Sequence, residues 1–113
     1  MTLGGLMETS HSGDELARIL ATLANPHRMR VIAALAHGRN YVSALARELG
    51  ISRPLLQLHL AKLEAAGLVT AAFELSHDGK AMKYYDTVPF AVTLTPQSIA
   101  LAARTLTTEE GQS

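Results

Sequence analysis

The run Ser52-Arg53-Pro54-Leu55-Leu56-Gln57-Leu58-His59-Leu60-Ala61-Lys62-Leu63 interleaves an apolar stripe with hydrogen-bonding side chains. On a helix, Leu56, Leu60 and Leu63 fall on one inward stripe, which turns Arg53, Pro54, Gln57, Leu58 and Ala61 outward. An amide and a guanidinium on one exposed face suit the edges of DNA bases. Gln57 has the geometry for a bidentate pair with adenine, Arg53 for guanine or a phosphate, and Leu58 for a thymine methyl. Ser43 and Ser52 add hydroxyl donors for phosphate, with Arg47 and Lys62 as supporting charges. Lys80 and Lys83, further along, are placed to grip the backbone or enter a minor groove.

Other chemistries are excluded or unsupported. The chain has no cysteine, which removes disulfides, thiolate catalysis and every Cys-based metal site. No Ser/His/Asp order, carboxylate pair or phosphate-cradling glycine loop is placed for catalysis, so no enzyme activity and no cofactor are expected. Residues 1–12 show no basic stretch leading into an apolar run, and no apolar run approaches the ~18 residues of a membrane span. A cytoplasmic protein with no membrane partner is expected.

Formal net charge is zero over 113 residues, but its distribution is uneven. From Asn25 to Lys83 there are eight basic and four acidic residues, a net +4, whereas residues 1–24 and 84–113 each carry −2. A basic middle between acidic ends fits a polyanion-binding centre whose flanks do something else.

The elements that must position these groups follow from periodicity. Hydrophobic residues make up 48% and aromatics 4%, so the core is aliphatic and favours helices. Residues 1–12, which include the polar run Thr9-Ser10-His11-Ser12, are expected to form a disordered tail, with one domain over 13–110. Leu16, Ile19, Leu20 and Leu23 mark a first amphipathic helix; Asn25-Pro26 caps and starts a second, which stops near His37-Gly38. Val42 to Leu49 forms a third, ended by Gly50, and Ser52 to Ala66 a fourth, closed by Gly67. Strands then run over 68–76 and 81–88 about an Asp78-Gly79 turn. Pro89 and Pro96 bound a linker before a last helix, 96–109, with Ile99, Ala102, Ala103 and Leu106 on one side. The class is mainly α with a β-hairpin wing, in the order α-α-α-α-β-β-α.

The third and fourth helices, joined at Gly50-Ile51, make a helix-turn-helix. Ala46 is small where the helices cross, Gly50 allows a left-handed turn, and Ile51 plugs the space between them. The run from Ser52 to Val69, together with Leu23-Ala24-Asn25-Pro26-His27-Arg28-Met29-Arg30-Val31-Ile32 upstream, resembles the ArsR/SmtB family of winged helix-turn-helix regulators over roughly residues 14–90. The resemblance implies a homodimer that binds duplex DNA at a palindromic operator, a repressor rather than an activator. It implies a dimer seam from the first and last helices: Leu16, Ile19, Leu20, Leu23, Ile99, Ala102, Ala103 and Leu106. It also places His59 at a position bordering the groove. Leu55, Leu56 and Leu58 stand where the family more usually has small or polar residues.

Many such regulators respond to a metal. The family's thiolate site needs cysteine, and its last-helix site needs histidines where this chain offers only Glu109 and Glu110. His11 with Asp14 and Glu15 is the remaining nucleus for nickel or zinc. His27 reads as a first-turn surface residue, His37 as a helix C-terminal partner and His77 as a turn residue. Three readings stand at this point: a DNA-binding regulator, with or without a nickel or zinc effector; a DNA-binding subunit governed by a partner protein; and a winged-helix protein-interaction module.

Overall fold

The computed structural model describes residues 11–107, so the expected tail lies outside the described residues up to Ser10. The elements are α1 (Gly13–Leu23), α2 (Pro26–Ala36), β1 (Asn40–Tyr41), α3 (Val42–Leu49), α4 (Arg53–Ala65), β2 (Val69–Leu75), β3 (Ala81–Thr87) and α5 (Pro96–Ala103). Among the described residues no helix is long and apolar enough to cross a membrane. They group into two compact units: 22–88, and 11–21 with 89–107.

The first unit is built on α2, α3, α4 and the sheet. Asn25 caps α2 by accepting from Arg28 N at 3.1 Å, with Pro26 opening the helix. Arg28 Nε donates to Thr22 O at 2.7 Å. Gly50 takes φ 69°, the left-handed turn that lets α3 stop and the chain reverse into α4. The core is one aliphatic cluster: Val31, Leu35, Leu45, Leu56, Leu60, Leu63 and Leu68 are all essentially inaccessible, and Ala46 is buried with them. Burying a side chain of this size contributes about 1.5–3 kcal/mol.

The hairpin forms where Asp78-Gly79 predicts it. Ser76 N donates to Lys80 O, Gly79 N donates to Ser76 O, and Gly79 has φ 85°, a three-residue loop closed by a left-handed glycine. The two-residue strand β1 is an addition the sequence did not suggest. It pairs antiparallel with β3 (Asn40 with Tyr85, Tyr41 with Tyr84), giving the order β1-β3-β2. Asn40-Tyr41 is too short for any period to show, and only the β3 edge supplies its hydrogen-bond partners.

In the second unit, α1 starts with a reciprocal cap. Ser12 Oγ accepts from Glu15 N at 3.1 Å while Glu15 Oε1 accepts from Ser12 N at 2.9 Å, the Ser-x-x-Glu box. Ser12 therefore belongs to a structured start. The end of α5 packs on that start: Gly13 N donates to Thr105 Oγ1 at 2.7 Å, and the Asp14 carboxylate accepts from Thr107 N and Oγ1. A Cβ on Gly13 would stand 2.3 Å from Ala102 O and 2.8 Å from Leu106 Cγ. The helix α5, opened by a Thr95/Ser98 capping box, ends at Ala103 rather than 109 and buries none of its residues.

Two expectations about burial are corrected. Leu16 and Ile19, assigned to a dimer seam, are already buried within one chain (9% and 5% exposed). His27 is half-buried rather than a surface residue, with its ring stacked on that of His59 at a centroid distance of 5.4 Å.

Gly13→Ala should cost about 1–3 kcal/mol, because the new methyl meets backbone oxygen and Leu106 together. Thermal unfolding of the two proteins checks it, and an unchanged midpoint refutes the close approach.

Candidate nucleic-acid interface

Ser52 sets the start of α4. Its Oγ accepts from Leu55 N at 3.2 Å, and Pro54 sits in the first turn where no N–H is needed. Ile51 N donates to Ala46 O at 3.2 Å, tying the turn back to α3. With Leu56, Leu60 and Leu63 fully inward, Arg53, Pro54, Gln57, Ala61 and Lys62 are exposed and Leu58 is 53% exposed. The outward face of α4 is thus the one its periodicity predicts. Leu55 is 37% exposed at the margin of that face.

Around α4, Arg47 is exposed and Ser43 half-buried on α3, while Lys80 and Lys83 are exposed on the hairpin. The Lys83 ammonium lies 5.8 Å from the Phe73 ring centre and 5.4 Å from that of Tyr85. These contacts hold the charge beside the aromatic rings of the wing.

His59 departs from expectation. It is 6% exposed, so its ring faces α2 and His27 rather than a groove. Neither ring nitrogen has a hydrogen-bond partner. Burial holds its pKa below the usual imidazole value, and the charges of Arg28, His27 and Lys62 push the same way. The stripe Leu56/Leu60/Leu63 is wide enough to take in position 59, one residue from Leu60.

One contributor went unseen in the sequence. Arg39, just before β1, makes a two-pronged ion pair with Glu74 of β2, and its guanidinium lies 4.5 Å over the Tyr84 ring of β3. Tyr41 meets Tyr84 edge to face at 5.8 Å. The pair lowers the pKa of Glu74, chiefly through the hydrogen bonds from Arg39. It clamps the outer face of the sheet across three strands. Its partners are 35 residues apart, beyond any local signal.

The proposed metal nucleus does not assemble as three ligands. His11 Nδ1 lies 3.9 Å from Glu15 Oε1, but both oxygens of Asp14 are taken by Thr107. Among the described residues no group of three His, Cys, Asp or Glu side chains comes together.

Because the unfolded chain protonates His59 near 6.5 and the folded chain at lower pH, the unfolded state holds more protons between those values. The contribution is fully present above the unfolded value and is lost as pH falls from there toward the folded one. The urea midpoint should therefore drop between about pH 7.5 and 5.5, and His59→Phe should flatten part of that drop. Identical pH slopes for both proteins would count against the burial of the imidazole.

Comparison with known proteins fits this architecture. A family model described as "Helix-turn-helix domain" matches residues 23–71. The transcriptional regulator CmtR of Mycobacterium tuberculosis is 39% identical over 69 residues, 61% of this chain and 55% of that protein. The chain thus spans about half the length of that curated relative. A "probable mercury resistance operon repressor" of Streptomyces lividans is 30% identical over 90 residues, covering 80% of this chain and 69% of that one. Among solved structures, the homodimeric winged helix-turn-helix domain of a possible ArsR-family regulator from Mycobacterium bovis superposes with a TM-score of 0.60. It is 27% identical, over 80% of this chain and 74% of that one. Its helix-turn-helix with a hairpin wing, the 30% identity to that repressor and the superposition on that ArsR-family domain agree: this chain belongs to the ArsR family of winged helix-turn-helix transcriptional regulators.

Proposed function

We propose that this chain is a sequence-specific DNA-binding regulator that acts in the cytoplasm as a homodimer on a palindromic operator, as a repressor. The observation that carries the reading is the outward face of α4. Arg53, Gln57 and Leu58 stand in water behind a Ser52-capped N-terminus, held rigidly by a fully buried leucine stripe. That is the end of a recognition helix that enters the major groove. Gln57 and Arg53 supply base-edge hydrogen bonds; Ser52, Ser43, Arg47 and Lys62 supply phosphate contacts; Lys80 and Lys83 extend the contact along the wing.

The homodimer rests on α5. Its Ile99 and Leu101 are 49% and 64% exposed, and Leu106 just beyond it and Leu20 on α1 are 48% and 38% exposed. A helix this apolar with nothing buried gains stability by covering that face with a second copy. Ala103 is also exposed, while Ala102 and Leu23 of the expected seam are half-buried; the exposed set Leu20, Ile99, Ala103 and Leu106, with Leu101 added to it, is the seam we favour.

Fluorescence anisotropy against the protein's own promoter and a scrambled duplex, at two salt concentrations, tests the reading. Promoter binding should be at least about a hundredfold tighter. Gln57→Ala should cost about 1–3 kcal/mol on the promoter and relax base preference, while Lys83→Ala should weaken both duplexes alike and lessen the salt slope by about one. Equal losses on both duplexes for both variants would overturn the assigned roles. Sedimentation equilibrium should give twice the chain mass, and the double variant Ile99→Glu, Leu101→Glu should give the mass of one chain; a dimer that survives both charges places the seam elsewhere.

A further inference from the structure

One face of the hairpin is apolar, and toward the turn nothing in the described chain covers it. By register and strand alternation, Val69, Ala71, Phe73 and Leu75 share one face with Thr87, Tyr85, Lys83 and Ala81. At its base this face is core, with Val69 2% and Tyr85 7% exposed. Toward the turn it runs out into water: Phe73 is 70% exposed and Leu75 76%. The opposite face is already engaged, by Arg39 on Glu74 and Tyr84.

Charge is sorted between the two faces. The acids Glu74 and Asp86 lie on the opposite face, and Asp78 in the turn accepts from Ser76 Oγ and Lys80 N. The apolar face itself carries one ion, Lys83, whose ammonium lies near the Phe73 and Tyr85 rings. Lys80 stands exposed at the turn beside it. Two large apolar side chains flanked by cations, with carboxylates turned away, complement a polyanion whose interior is apolar.

We propose that Phe73 and Leu75 form an apolar wedge that enters the minor groove of the duplex α4 reads, between base pairs, while Lys83 and Lys80 hold the adjoining phosphates. The inference rests on the DNA-binding reading above and assigns it two residues that no charge argument would select. β2 packs on α4 within one compact unit, so the wing and the outward-facing helix are carried by the same body. The minor groove is the one beside a helix seated in the major groove, and Phe and Leu are side chains that unstack base steps when driven in there. Such a wedge bends the duplex and selects flexible pyrimidine–purine steps.

The test uses a duplex recovered from a random-sequence pool by the full chain, end-labelled with a donor and an acceptor dye. The wild type should raise energy transfer on binding, and the pool should be enriched in TA or CA steps under the wing. Phe73→Ser with Leu75→Ser should bind roughly tenfold more weakly, with an unchanged slope of log affinity on log salt. The bend and the step preference should be lost, and Phe73→Leu should restore most of both. The exposed positions leave folding intact, which circular dichroism verifies. A serine double variant that bends and binds the selected duplex as the wild type does overturns the wedge while leaving the DNA reading in place. A wild type that enriches no duplex overturns both.

Discussion

Everything in the 22–88 unit depends on removing one stripe of α4 from water. Leu56, Leu60 and Leu63 reach zero exposure against Val31, Leu35, Leu45 and Leu68. A helix has a fixed 3.6-residue turn, so burying that stripe determines where Arg53, Gln57 and Leu58 point. The outward polar groups of α4 are aimed by side chains on its opposite, buried face. Because interiors are close-packed, the aim is also stiff: the α4 axis cannot roll without opening space beside the leucines.

The same constraint explains the one histidine within the helix. A stripe that holds positions 56, 60 and 63 also draws in position 59, and the His59 ring settles on His27 without hydrogen bonds. A neutral imidazole tolerates that burial, whereas a charged one does not. The helix is therefore packed partly through one buried imidazole, His59, which links its stability to pH.

Among the described residues, the face of α5 and the tip of the wing stay apolar and exposed after folding, which suits an assembly better than a lone chain. The helix α5 packs its end on the start of α1, yet none of its own residues is buried. The wing tip leaves Phe73 and Leu75 in water beside Lys83. The Arg39–Glu74 pair and the Tyr41–Tyr84 contact hold the other face of the sheet, so that the exposed edge of the hairpin is presented from a fixed base.

By itself the sequence determined what is local. The helical stripes, the caps at Asn25 and Ser52, the left-handed Gly50 and the Asp78-Gly79 turn all depend on neighbours within a few residues, and each appears in place. The outward set on α4 follows from the same period. Even the Ser12/Glu15 cap was written in four adjacent residues. What tertiary structure alone decided involves partners far apart in the chain. The strand β1 exists because β3 offers an edge, and Arg39 meets Glu74 across the sheet. Leu16 and Ile19 are buried within one chain, Asp14 holds Thr107 beyond the end of α5, and His59 turns inward onto His27. Periodicity says which side of a helix is apolar. Which surface covers that side, and how far the covering reaches, is set by contacts that no local pattern encodes.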